Sequence, residues 1–273
     1  MNTSSTVNDH SERVALAFSR KADEYDAFGD DHINLARMRR KVYNHVLRFL
    51  RPADRLLELN AGTGIDAAYF ARRGQRVHAI DIAPGMIDHL AAKIDQQLPD
   101  RLTVQTLSFT ELDQVAGAPF DYTLSNFGGL NCVADLTLVT QHLPQVLRPG
   151  SILTWVIMPP ICPWEIALLL KGRFTVATRR WRHGTVAHVE GVRFTTTYFT
   201  PQQVLTALGP NFLLLRLEGL SVFAPPADRV DFPRRFPHFY RALVNLDEVL
   251  ATRAPFNHWG DFFILTAQAA PHE

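Results

Sequence analysis

Cysteine is almost missing from this chain: Cys132 and Cys162 are the two present in 273 residues. Two isolated cysteines build no disulfide framework, and the histidines lack ligand spacing, so no metal is expected. An excess of one charge is missing too. Lysine plus arginine number 28 and aspartate plus glutamate 27, which leaves no overall field to gather DNA or an anionic membrane surface. The opening MNTSSTVNDHSERV lacks the basic flank and apolar core of a signal peptide, so a cytoplasmic setting is expected. One stretch, Ser151–Leu170, is long and apolar enough to span a membrane, with Glu165 its single charge. Pro159, Pro160 and Pro163 interrupt it, and lipid could not satisfy the hydrogen bonds they leave open. No G-x-S-x-G nucleophile turn and no internal repeat occurs.

What is present is an alternation. Val14, Phe18, Ala22 and Tyr25 recur at helical spacing, and Ala36–Leu50 continues with a second amphipathic pattern. Short apolar runs at 55–60, 76–81, 102–107, 120–126 and 151–158 then alternate with helical stretches, the last of these across Leu136–Leu147. Such an order implies βαβ units and a parallel sheet covered on both faces. Beyond Pro159 the pattern changes. Residues 185–199 read as a hairpin about Glu190-Gly191, and 200–208 as a helix with Thr200 as N-cap and Pro201 in the first turn. Two final strands are expected at 212–223 and 261–269, with a helical piece at 236–251 between them. The boundaries drawn are N-terminal cap helices at 1–50, a cofactor-binding core at 51–158, an inserted lid and hairpin at 159–199, and a C-terminal half at 200–273 with a helical insertion at 224–260.

The segment LLELNAGTGIDAAYFARRG, Leu56–Gly74, carries the chemistry. Gly62 and Gly64 follow the first strand and let backbone approach a ligand. Asp81 ends the second strand, where a carboxylate can accept both hydroxyls of a ribose. A nucleoside-bearing cofactor is implied. The spacing admits a dinucleotide, since Ala67 is the permitted substitute for the third glycine of G-x-G-x-x-G. Glu58 at the strand end would repel a pyrophosphate but suits a cationic or amino-bearing ligand, and Asp66 would also crowd a phosphate. Taken singly, the same residues could be an ordinary turn, an N-cap and core.

Together, the E-L-N-A-G-T-G loop, the second acidic motif in 79–88 and the motif FDYTLSNFGGLN at 120–131 resemble the class I S-adenosylmethionine-dependent methyltransferases, in particular their small-molecule, type 11-like branch. That resemblance implies a doubly wound, mostly parallel seven-stranded α/β sheet, Rossmann-like, with N-terminal helices and a lid on the substrate side. It also implies S-adenosyl-L-methionine as cofactor and methyl transfer to a small molecule, on oxygen or nitrogen by preference. Asn60 stands where the family has its first glycine. Carried over by position, Glu58 and the loop Asn60, Ala61, Gly62 and Gly64 would hold the methionine part and Asp81 the ribose. Ile82 and Met86 would pack on adenine, Ser108 and Phe109 border its edge, and Asn126 and Phe127 lie near the sulfonium. Tyr25 and Arg39, from the leading helices, would close over the cofactor and meet its carboxylate.

The acceptor is less legible. His183, His188 and His258 are the candidate bases, with His238 beside them in sequence terms. From Ile166 through Val189, 24 residues contain no carboxylate while Lys171, Arg173, Arg179, Arg180 and Arg182 fall among them. This run reads either as a solvated face or as a mouth for an acidic or carrier-bound acceptor, with the hairpin as a lid on the acceptor pocket. A nicotinamide-dependent oxidoreductase and a non-catalytic cofactor-binding module on the same fold stay open as alternatives.

Overall fold

The structure is a computed structural model that describes residues 3–25, 32–97, 100–182 and 184–271. Among these, nine strands occur: β1 (Arg55–Glu58), β2 (Arg76–Asp81), β3 (Leu102–Thr106), β4 (Phe120–Ser125), β5 (Leu147–Ile157), β6 (Thr185–Val189), β7 (Val192–Thr196), β8 (Phe212–Leu220) and β9 (Phe262–Ala269). Seven form one sheet in the order β3-β2-β1-β4-β5-β9-β8. β1 to β5 run parallel, and β9 lies antiparallel between β5 and β8. The longer helices are α1 (Thr3–Tyr25), α2 (Ile33–Val46), α3 (Ile65–Arg72), α4 (Pro84–Gln97), α5 (Pro201–Leu208) and α6 (Pro237–Leu250). No described helix is long and apolar enough to cross a membrane.

Strand side chains alternate between two faces, and the core divides accordingly. Leu56, Tyr122, Ile152, Val156 and Ile264 pack beneath α2, α3 and α4 with Met38, Val42, Phe70 and Leu90. Their neighbours Leu57, Leu153, Trp155, Phe263 and Leu265 join Val204 and Leu208 of α5 on the other face. α5 starts as its sequence requires, with a full capping box between Thr200 and Gln203. The helix expected across Leu136–Leu147 is instead two single turns, Thr137–Thr140 and Leu143–Val146. Pro144 has no N–H to bond back to Thr140, so the helix cannot run through.

Strand direction places both excursions on one edge. β5 ends at Ile157 opposite Phe263, and β8 ends at Leu220 opposite Phe262, so the segments after Ile157 and after Leu220 leave from the carboxyl edge of the parallel strands. One buried guanidinium ties their roots together. Arg180, 4% exposed, bonds Glu165 and the side chain and carbonyl of Asp261, and reaches the carbonyl of Pro159. Arg179 makes two further bonds of 2.6 Å to Glu165. Arg180 therefore does not belong to an exposed basic mouth, because Glu165 and Asp261 draw it inward, and Arg179 stays at the surface with its charge paired to Glu165. The hairpin β6–β7 turns at Glu190-Gly191, both with positive φ, and packs Val192 and Phe194 on Val14 and Ala17 of α1.

Arg180→Ala would leave Glu165 and Asp261 without their buried partner. A loss of about 3–5 kcal/mol is expected in denaturant unfolding, whereas Lys171→Ala, at an exposed position, should leave the midpoint unchanged.

Candidate functional site

An open cleft lies at the carboxyl ends of β1, β2 and β4, roofed on one side by α1. Its floor is the loop after β1. Gly62 has φ +55°, a left-handed conformation, and its N–H donates to Asp81 Oδ2 at 2.9 Å. Asp81 Oδ1 accepts from Ala83 N–H at 2.9 Å. With the Ile82 N–H as a third backbone donor, the carboxylate, with about four acceptor positions, still has capacity left for a ligand. Burial pushes the Asp81 carboxyl above its ordinary pKa, although these backbone donors pull it down. Ile82, Met86, Ser108 and Phe109 line the cleft beside it, as do Tyr25, Arg39, Asn60, Ala61, Asn126 and Phe127.

Gly64 does not line it. A Cβ at Gly64 would come within 1.9 Å of Leu90 Cδ1, so this glycine lets the loop seat against α4. Glu58 is also behind the surface. It is 1% exposed, and its Oε2 has no hydrogen-bond partner. Burial first, and then the nearby Asp66, push its carboxyl well above the usual carboxylate range. An unpaired buried carboxylate oxygen beneath a ligand loop suits an ammonium group placed above it.

Asn60, at the family's glycine position, bridges two strand ends. Its amide donates to the Asn126 carbonyl at 2.7 Å, and its Oδ1 accepts from Ser125 Oγ. Room for it exists because residue 129 is glycine, whose Cβ would lie 2.3 Å from Asn60 Cγ. Asp66, which sequence reasoning treated only as a neighbour of the loop, is the polar centre of this region. It accepts from Arg39, from Tyr43 Oη at 2.6 Å and from Asn126 Nδ2 at 2.7 Å. Burial alone would lower Arg39, but the adjoining Asp66 carboxylate holds it above its ordinary value. The same guanidinium lies 5.1 Å from the Phe127 ring centroid. Phe127 has φ +48°, a strained geometry for a bulky residue, held by its N–H to Asn126 Oδ1.

The candidate bases fall elsewhere. His188 and His258 are exposed and do not line the cleft, and His183 lies outside the described residues. His238 is exposed and bonded to Arg241. The histidine found in the cleft is His10 of α1, whose Nε2 bonds the Cys132 carbonyl at 2.6 Å. The helical repeat of α1 pointed to Val14 and Phe18, which line the cleft with it; a polar residue one turn earlier gave no signal of its own. Burial raises the Cys132 thiol to about 12, with the nearby Asp81 adding to the effect. Among the described residues no hairpin side chain lines the cleft. The hairpin backs α1, with Arg20 of the helix donating to the Glu190 carbonyl at 3.2 Å, and is not itself a wall of the pocket.

Residues 56–150 match the family model described as a methyltransferase domain, and they contain β1–β4, the glycine loop and Asp81. Residues 56–150 carry a methyltransferase domain. The chain is similar in sequence to part of a malonyl-[acyl-carrier protein] O-methyltransferase of Serratia marcescens, 32% identical over 152 residues, 54% of this chain and 52% of that protein. A biotin biosynthesis bifunctional protein of Cellvibrio japonicus is 32% identical over 145 residues, 51% of this chain and 26% of that one. The chain thus spans about half the length of the first relative and about a quarter of the second. In structure the methyltransferase fold extends over nearly the whole chain. A Burkholderia thailandensis 1,6-didemethyltoxoflavin-N1-methyltransferase, solved with its acceptor and S-adenosylhomocysteine, superposes with a TM-score of 0.57 at 18% identity, covering 96% of this chain and 90% of that one.

In the ligand-free protein the raised Glu58 pKa carries a sign. Its contribution to stability is complete below the unfolded value of 4.5 and is lost as pH rises through the folded value. Glu58→Gln has no proton to lose, so calorimetric melting temperatures plotted against pH should flatten over that window. An unchanged profile would mean that Glu58 is ionised throughout.

Proposed function

We propose that the chain is an S-adenosylmethionine-dependent methyltransferase acting on the carboxylate oxygen of a small acyl acceptor. The observation that carries the cofactor assignment is the charge set of the cleft. Glu58, Asp66 and Asp81 surround a loop where Arg39 is already neutralised by Asp66. A pyrophosphate would meet the Asp66 and Asp81 carboxylates that line the cleft, whereas a cationic amino acid joined to a ribose meets complementary groups.

S-adenosylmethionine, when bound, supplies an electrophilic methyl group on a sulfonium. Asp81 accepts the ribose hydroxyls, Ile82 and Met86 flank the adenine, and Ser108 and Phe109 border its edge. Glu58 sits beneath the methionine ammonium, and Tyr25 closes from α1. Asn126 and Phe127 stand at the reacting end, where alignment of donor and acceptor supplies about 7–11 kcal/mol of the barrier reduction. The acceptor class follows from the missing base. His10 is the one histidine that lines the cleft among the described residues, and its Nε2 is engaged by the Cys132 carbonyl. A phenol or an ammonium needs a proton removed before attack. A carboxylate does not, and its negative charge is drawn to the sulfonium in a site that excludes water. The Serratia marcescens relative, a malonyl-[acyl-carrier protein] O-methyltransferase, supports the same reading.

Calorimetry should detect S-adenosylhomocysteine and not NAD. Asp81→Asn, which keeps one carbonyl oxygen, should weaken that binding by about 1.5–3 kcal/mol. Labelled methyl transfer to a dicarboxylic acyl thioester should yield an ester stable to mild acid. Binding of NAD in preference to S-adenosylhomocysteine would refute the cofactor, and a methylated amine in place of an ester would refute the acceptor.

A further inference from the structure

The segment between Pro163 and Arg182 is built inside out at its tip. Its anchor is buried: Cys162, Glu165, Leu168, Ala177 and Arg180 face the body of the protein. Three short turns, Pro163–Ile166, Ala167–Lys171 and Phe174–Ala177, pack on one another. Gly172, φ +70°, reverses the chain between the second and third, with its N–H and that of Arg173 closing on Leu169 and Leu168 carbonyls. The tip then presents apolar side chains to solvent. Leu170 is 92% exposed, Phe174 64% and Trp181 53%. Lys171, Arg173 and Arg182 alternate with them, exposed and without an ion-pair partner among the described residues.

The root of this surface is tied to the carboxyl edge of the sheet, the edge on which the cleft opens. Arg180 fixes its root to Pro159 and Asp261, and the residue after Asp261, Phe262, packs edge-on against Phe127 at 5.7 Å between ring centroids. The root of the tip is thus connected through Arg180, Asp261 and Phe262 to Phe127 at the reacting end of the cleft.

Exposed Leu, Phe and Trp among cations fit two kinds of surface, an acidic protein or an anionic membrane. The count of charges decides. Membrane-binding basic clusters use about 4–8 lysines or arginines, and here three are free because Glu165 and Asp261 hold Arg179 and Arg180. The chain as a whole, at +1, adds no attraction to a surface. A compact acidic protein needs only local complementarity around an apolar contact.

We propose that Leu170, Phe174 and Trp181, ringed by Lys171, Arg173 and Arg182, are the docking surface for an acidic carrier protein that delivers a thioester-bound carboxylic acceptor to the cleft. This rests on the carboxyl-methylation reading above. The test uses the full chain loaded with S-adenosylhomocysteine, malonyl-loaded acyl carrier protein in solution, and malonyl-coenzyme A as an untethered comparison. Two variants carry charge reversal (K171E/R173E/R182E) or loss of the apolar tip (L170S/F174S/W181S). Both should weaken carrier binding in calorimetry by about tenfold or more, and salt should weaken the wild type, while S-adenosylhomocysteine affinity and methylation of malonyl-coenzyme A stay within about twofold. Melting temperatures confirm that each variant is folded. Carrier binding that is absent in the wild type, or equal in both variants, overturns the proposal, as does sedimentation with anionic phospholipid vesicles in place of carrier binding. Failure to bind S-adenosylhomocysteine would instead overturn the methyltransferase reading, and carrier binding by the same protein would leave the docking surface standing.

Discussion

The carboxylate of Asp66 holds the site together. From the first turn of α3 it takes hydrogen bonds from Arg39 and Tyr43 of α2 and from Asn126 at the end of β4. Three segments distant in sequence are fixed about one buried anion, and an anion in that position is stable only while its donors are present. α2 is thereby pinned against the sheet, Asn126 is turned so that its oxygen holds the strained Phe127, and Arg39 is laid over the Phe127 ring. Glu58 is raised well above the usual carboxylate range by burial first, and the negative charge of Asp66 adds to that shift. A cationic ligand relieves that repulsion, so the same arrangement that organises the cleft favours the charge expected to fill it.

A second buried ion network acts at the other end of the carboxyl edge. Burial alone would raise the Glu165 carboxyl, but bonds from Arg179 and Arg180 more than offset it and hold its pKa below the usual value. Because Arg180 also reaches the carbonyls of Pro159 and Asp261, the first excursion cannot shift without disturbing the start of β9. The tip of that excursion is consequently a rigidly mounted surface, and its exposed apolar side chains are held out from the body.

The sequence made the sheet legible because each strand is a short apolar run bounded by turn residues, and β2 begins and ends where the run 76–81 does. Gly62 and Asp81 were legible because their chemistry is tied to local spacing. What depends on contacts between distant elements was not. Arg179 and Arg180 read as part of a basic run, and nothing local shows that Glu165 and Asp261 fold onto them. His10 reads as one polar residue in a helix start; it enters the cleft because α1 lies flush on α4, where Gly85 leaves room for Ser19. Gly64 read as a ligand glycine, but its conformation serves the packing of Leu90. The break in the helix near residue 142 was written in Pro144, and amphipathic spacing on either side obscured it.

The asparagine at residue 60 links the history of two positions 69 apart. Its amide occupies the volume that a side chain at 129 would need, and its bonds to Ser125 and Asn126 replace the close backbone passage that a glycine would give. Neither residue can change freely while the other stays. Glycine at 60 would open space for a side chain at 129, at the rim of the cleft, whereas a side chain introduced first at 129 would collide with the bridge. Substitution in this corner is therefore ordered, with the loop changing before the rim, and chains on the same fold that keep the glycine at 60 are free to build that part of their acceptor pocket differently.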